Sequence, residues 1–174
     1  IGSGVITISS GENSFSTVLS PTNTLEDLRD QINNGPFTGT DSNDSVTATI
    51  VTTDAGQHLV LTSKETGEEN AISITVQDGD GNNSDTGGLS RLAYDVSDAD
   101  PANHVTNLTE VDAAQNAQIT IDGTLTVTSN TNEFKNVIDG VDITAKKAHG
   151  TDDDDSSLKV TENNSNIKAG LNSF

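Results

Sequence analysis

Val46-Thr47-Ala48-Thr49-Ile50-Val51 and His58-Leu59-Val60-Leu61-Thr62-Ser63 stand on either side of Asp54-Ala55-Gly56. Apolar and polar residues alternate through both runs, the period of a half-buried strand, and the short Gly-containing break between them makes the pair a hairpin. The same pattern recurs in both directions. Upstream, Val5-Ile6-Thr7-Ile8 and Phe15-Ser16-Thr17-Val18-Leu19 flank Gly11-Glu12-Asn13. Downstream, Ala71-Ile72-Ser73-Ile74-Thr75-Val76 is a further strand, and Ala117-Gln118-Ile119-Thr120-Ile121-Asp122 pairs with Leu125-Thr126-Val127-Thr128 around Gly123-Thr124. Val141-Asp142-Ile143-Thr144-Ala145 and Ser157-Leu158-Lys159-Val160-Thr161 complete the set.

One segment breaks the rule of two. Leu25, Leu28 and Ile32 recur at helical spacing behind Thr24, an N-cap residue with Asp27 three positions on, and Gly35-Pro36 stops the helix. A short helical turn is expected over 133–138, and Ile167, Leu171 and Phe174 read as the first turns of another helix. The Gly/Asp/Asn-rich run 78–88 and the acidic run 95–105 are loops. The expected fold is mainly β with one or two short helices: two small antiparallel β domains and no long helical bundle. The divisions fall at 1–108 for an outer β-rich domain, 109–165 for a second, and 166–174 for the start of a helical segment.

Composition narrows the function. Only 30% of the residues are hydrophobic, with four Phe, one Tyr and no Trp, so the core must rest on Val, Ile, Leu and Thr. Eight basic residues against twenty-seven acidic ones give a formal net charge of −19. Nucleic acid binding needs cations to neutralise phosphates, and anionic membrane surfaces need them too, so neither is an expected partner. There is no Cys, which removes disulfides, thiolate chemistry and cysteine zinc sites. No apolar run reaches the ~18 residues of a membrane-spanning helix. A start at Ile1 without an initiator Met, and an abrupt end at Leu171-Asn172-Ser173-Phe174, read as an excised fragment lacking a signal peptide.

Several groups of residues invite a chemical reading. Asp78, Asp80 and Asn82 fill the first three liganding positions of a calcium loop, but Asn83 replaces the required Gly and Leu89 the bidentate acid. Asp152, Asp153, Asp154 and Asp155 are adjacent like charges that suit a solvated loop tip. His58, His104 and His149 lie in separate segments with no partner at metal-ligand spacing, and no nucleophile-elbow pattern supports a Ser/His/Asp triad. Asn43, Asn82, Asn107 and Asn163 begin Asn-X-Ser/Thr acceptors of the kind chance supplies in such a chain. No catalytic residue, metal ligand or cofactor is therefore expected.

Three stretches together resemble one family. Thr24-Leu25-Glu26-Asp27-Leu28-Arg29-Asp30-Gln31-Ile32-Asn33, with Val46 to Val51 after it, is the first; Leu59-Val60-Leu61-Thr62-Ser63-Lys64-Glu65-Thr66-Gly67-Glu68-Glu69-Asn70-Ala71-Ile72 is the second. Both resemble the short motif shared by bacterial flagellin-like axial proteins. The third, Ala114-Gln115-Asn116-Ala117-Gln118-Ile119-Thr120-Ile121-Asp122-Gly123 with Ser129-Asn130-Thr131-Asn132 and Val137-Ile138-Asp139-Gly140-Val141, is similar to the flagellar hook-associated protein 2 (filament-capping, FliD) family just before its C-terminal helical part. The resemblance implies an assembly protein without enzyme activity. It implies self-association into a ring at the distal end of an extracellular filament, export without a cleaved signal peptide, and flagellin as partner. Adhesion to host mucin or surface glycans is a further role in some members. The alternatives are an extracellular adhesion or ligand-binding β-module, or a flagellin or hook–filament junction protein.

Overall fold

Gly4–Ser10 (β1) sets Ile6, Ile8 and Ser10 on one buried face, and a two-residue turn returns the chain antiparallel as Asn13–Leu19 (β2), which buries Phe15, Thr17 and Leu19. The computed structural model describes residues 1–39, 41–148, 150 and 156–157. Leu25–Asn34 is the helix α1; Val46–Thr53 (β3) and Gly56–Ser63 (β4) form the hairpin read first in the sequence. Ser73–Asp78 (β5) follows, then the two-residue strands Tyr94–Asp95 (β6) and Val105–Thr106 (β7). Ala117–Ile121 (β8) pairs with Leu125–Ser129 (β9), and Glu133–Ile138 (β10) with Val141–Thr144 (β11). Among the described residues the fold is mainly β with one α-helix, in line with the expected β-rich class.

β5 returns to pair with β1, from Gly4 opposite Asp78 to Ser9 opposite Ser73. The resulting sheet has the order β2-β1-β5-β6-β7 and carries the core, while the other three sheets are two-stranded ribbons. Ile6, Ile8, Ile74 and Val76 meet Leu28 and Ile32 of α1, Val46 and Ala48 of β3, and Leu89, Leu92 and Ala93. Each fully buried aliphatic side chain contributes about 1.5–3 kcal/mol. The core is mostly aliphatic, yet its largest member is aromatic: Phe15 is fully buried and meets Phe37 edge-to-face at 5.3 Å. Beyond Ala93, Phe134 is the one fully buried large hydrophobic residue among those described.

The helix begins where the sequence places it. Thr24 Oγ1 accepts from the Asp27 N–H at 3.2 Å, and the Asp27 carboxylate accepts from the Thr24 N–H at 2.8 Å. At the other end Gly35, at φ 83, donates to Gln31 O, a conformation that a side chain disfavours. Leu28 and Ile32 are sealed from solvent; Leu25 is partly exposed.

The expected helical turn at 133–138 is instead β10. Its ladder with β11 shifts between Phe134 and Ile138, and Asn136 sits at φ 52 with its N–H on the Asp142 carboxylate at 2.7 Å. Between those pairs β10 holds three residues, 135–137, against the single Asp142 of β11, so the bulge breaks the two-residue period and leaves Phe134 and Val137 as the two more buried residues of β10. That spacing imitates a helix. The expected strand at 71–76 is displaced to Ser73–Asp78.

By internal contacts the chain divides into Ile1–Thr144 and Ala145–Phe174. The described residues of the second unit hold no helix or strand. The strand expected at 157–161, beyond Ser157, and the helix start at 166–174 lie outside the described residues, as do His149 and the four Asp at 152–155.

Thr24→Ala should lower stability by about 1 kcal/mol through the lost cap. Leu28→Ala should cost more, about 2–5 kcal/mol, because nothing else fills its site. Urea midpoints of the two variants measure both, and equal, near-zero shifts would show that α1 is not docked.

Candidate assembly surface

The loops that looked most like ligand sites use their oxygens internally. In 78–84, Asp78 Oδ1 accepts from Asp80 N–H, Asp80 Oδ1 from Asn82 N–H, and Asn82 Oδ1 from Ser84 N–H. Each side chain caps the backbone two residues on, which is the turn chemistry of Asp and Asn. Asp78 Oδ2 also accepts from the Ser90 N–H at 2.8 Å and the Ser90 hydroxyl at 3.1 Å. Asp85, Asp95, Asp98 and Asp100 repeat the device onto Gly87, Ser97, Asp100 and Ala102. Among the described residues no three His, Cys, Asp or Glu are grouped to hold a metal ion.

The electrostatics follow from these bonds. Burial works against the charged Asp78 carboxylate, but the Ser90 N–H and hydroxyl and the Asp80 N–H outweigh it and hold its pKa below the ordinary value. Asp95 is lowered chiefly by the Ser97 hydroxyl, and Asp98 by the Asp100 N–H. Tyr94 is raised by burial and by Glu110, whose Oε2 takes its hydroxyl at 3.0 Å.

The structure keeps the histidines apart. His58 Nε2 pairs with Thr53 Oγ1 at 3.0 Å across the β3–β4 turn, and His104 Nε2 with Asp98 O at 2.8 Å. Asn43 and Asn107 have their amide nitrogens committed to backbone: Asn43 Nδ2 donates to Ile32 O and Val46 O, and Asn107 Nδ2 to Asp85 O and Ser90 O. Asn163 lies outside the described residues.

The sequence reading missed a joint between the second of the three stretches and the third. Thr66 Oγ1 donates to Asn130 O at 2.7 Å, Glu68 N–H to Asn116 Oδ1 at 3.1 Å, and Asn130 Nδ2 to Glu69 Oε1 at 2.6 Å. Gly67, at φ 100, lies against Asn130 so closely that an added Cβ would meet the Asn130 Cβ at 2.5 Å. Beside the joint opens a polar cleft of about 450 Å³ lined by Glu69, Asn116, Thr128, Ser129 and Asn130. Its one carboxylate is already bonded to Asn130, so it offers positioning and no general base. Glu68 and Asn116 belong to different stretches of the family resemblance, which was the available signal.

The β3–β4 ribbon is covered on one face and exposed on the other. Its inner face packs under α1 through Val46, Ala48, Leu59 and Leu61. Its outer face carries Thr47, Thr49, Val51 and Thr53 opposite Thr62, Val60 and His58. Val51 is 47% and Val60 39% exposed. Such a face, β-branched and uncharged, suits contact with protein and not chemistry.

Known proteins resemble this chain in sequence and in fold. The family model "Flagellar hook-associated protein 2 C-terminus" matches residues 114–174. The B-type flagellar hook-associated protein 2 of Pseudomonas aeruginosa PAO1 is 39% identical over 153 residues, 83% of this chain and 29% of that protein. The lateral flagellar hook-associated protein 2 of Vibrio parahaemolyticus is 32% identical over 154 residues, 87% of this chain and 30% of that one. This chain thus spans under a third of the length of either curated relative. The crystal structure of FliD (HAP2) from P. aeruginosa PAO1 superposes with a TM-score of 0.72 at 29% identity, covering 99% of this chain and 72% of that one. The flagellar cap protein FliD of Serratia marcescens gives 0.60 at 27% identity, covering 87% and 72%.

Carboxylates held below their unfolded pKa contribute stability above the ordinary Asp range, near pH ~3.9, and lose it as pH falls through their lower folded values. The melting temperature should therefore drop steeply below about pH 4. Asp78→Asn should lower it at neutral pH and narrow its gap from the wild type at acid pH. Thermal melts across pH read both effects, and a constant gap would show that Asp78 is not a source of the acid sensitivity.

Proposed function

Because this chain is a relative of flagellar hook-associated protein 2 in sequence and in fold, we propose that it is the β-rich outer part of a cap at the distal end of a bacterial flagellar filament. In this reading its activity is assembly and not catalysis. It associates with further copies in a ring, promotes insertion of flagellin subunits and prevents their loss. Adhesion to host mucin or surface glycans is a second role for the same exposed surface. The protein works outside the cell at the filament tip, after export without a cleaved signal peptide.

The observation that carries the proposal is the match in fold over nearly the whole chain to a cap-protein crystal structure. The chemistry supports it. Side-chain oxygens in the acidic loops cap their own backbone, histidines stand apart, and the polar cleft lacks a nucleophile paired with a base. The outer face of the β3–β4 ribbon is left for contact with protein. The division at 108/109 is proposed on the same footing, since the core and the partly buried residues packed on it run from Ile1 to Leu108.

With a net charge of −19 on each copy, this chain by itself should be monomeric or weakly associated in dilute solution. Raising the ionic strength screens the repulsion and should increase association, which sedimentation velocity at two salt concentrations reads. A tight ring at low salt and micromolar protein would contradict this.

Deleting residues 1–174 from the parent protein should shorten filaments and leave export intact. Changes at His58, His104 or His149 should do far less. Filament length by electron microscopy, scored beside surface attachment, separates the cap from the adhesin reading. Full-length filaments on the deletion strain would retire the cap.

A further inference from the structure

We propose that the free edge of β4 is the strip along which one copy of this chain receives a strand of a second copy, an inference that rests on the cap reading. The argument starts from backbone groups. Asn33 bonds both the N–H and the O of Ala48, and Asn43 both those of Val46, so these two residues of β3 point away from β4. In an antiparallel ladder directly opposed residues share their direction. Ser63 and Leu61 therefore also point outward, on the far side of the ribbon, and the two-residue period adds Leu59 and Gln57. None of the backbone groups of Gln57, Leu59 and Leu61 finds a partner on that side among the described residues.

Two other edges are plugged in part. Beside β2, Thr38 N–H reaches Ser16 O at 2.7 Å, and the Asp41 carboxylate accepts from Ser16 N–H at 3.0 Å. On β3 the two asparagines plug the edge as far as Ala48. Along β4 there is no Pro, Lys or bulge, the usual devices against strand addition.

Charge selects a second copy as the occupant. Between Ser45 and Ser63 the only charged side chain is Asp54, at the turn, in a chain of net charge −19. Like-charged copies meet at least cost where neither brings carboxylates. Glu26 is the nearby exception; it is held by Gln57 Nε2 at 2.7 Å from α1, which covers the inner face. Ile50 and Thr52 leave the opposite edge of the ribbon open beyond the Asn33 plug, so each copy offers two different edges. Contacts between unlike surfaces are the kind that close into rings. A single strand pairing buries less than a stable interface needs, and the ring supplies the rest by multivalency.

The test uses the full-length parent protein, with assembly measured by native mass spectrometry and sedimentation. Gln57→Pro removes an outward N–H and leaves the β3–β4 ladder intact; Val60→Glu puts a carboxylate on the outer face beside that edge. Both should raise the concentration needed for half-assembly by about tenfold or more. Gln57→Ala keeps the N–H and loses the bond to Glu26 just as Gln57→Pro does, so it should assemble markedly better than Gln57→Pro; Leu125→Glu adds the same charge at an exposed site of β9 and should assemble as the wild type does. Matching melting temperatures show that the variants fold, and Val60→Glu tests the strip even where Gln57→Pro does not. Wild-type assembly by Gln57→Pro and Val60→Glu overturns the strip and leaves the cap reading standing. A parent protein that stays monomeric overturns both.

Discussion

A primary amide carries the donor and acceptor of a peptide unit on a side chain, and much of this fold rests on that equivalence. β3 has a neighbouring strand on one side only. Asn43 at Val46 and Asn33 at Ala48 supply the missing partner on the other, two atoms at a time. Asn107 does the same for the acidic loop, gathering the carbonyls of Asp85 and Ser90. A chain with few large apolar residues builds small sheets, small sheets have many unpaired backbone groups, and buried ones must be satisfied. Asparagine is the economical solution, and it explains why a polar, loop-rich sequence still holds one conformation over Ile1–Thr144.

The high acidity has a related cause. Aspartates in 78–102 bond to N–H groups two residues ahead, so each turn carries its own carboxylate as a structural part. A charge count reads this as an electrostatic field; the geometry reads it as a run of caps. Both are true, and they compete at interfaces. The charge-poor β3–β4 ribbon is where the competition relaxes.

Features with a local signature were legible in the sequence. The strand alternation, the Thr24–Asp27 cap and the Gly35 stop each depend on residues within a few positions, and all three appear in the structure. The family resemblance was legible too, because it rests on the residues themselves. Long-range pairing was not: no pattern in Ser73–Asp78 names β1 as its partner. The bulge at Asn136 misled for a physical reason, since the extra residues of β10 break the strand period and leave its inward positions three apart, as in a helix. At the assembly surface, periodicity showed that β3 and β4 were strands. Which of their edges were already plugged depends on Asn33 and Asn43, two residues whose side chains look like ordinary loop polarity until folded.

Those two asparagines also expose the edge to a chemical change. Hydrolysis of an amide to a carboxylate exchanges a donor for an anionic acceptor with almost no change in shape. At Asn33 that would turn a bond to Ala48 O into a repulsion between two oxygens. At Asn43 it would do so twice over, at Ile32 O and Val46 O. Loss of either amide would therefore be felt first along the outer edge of β3.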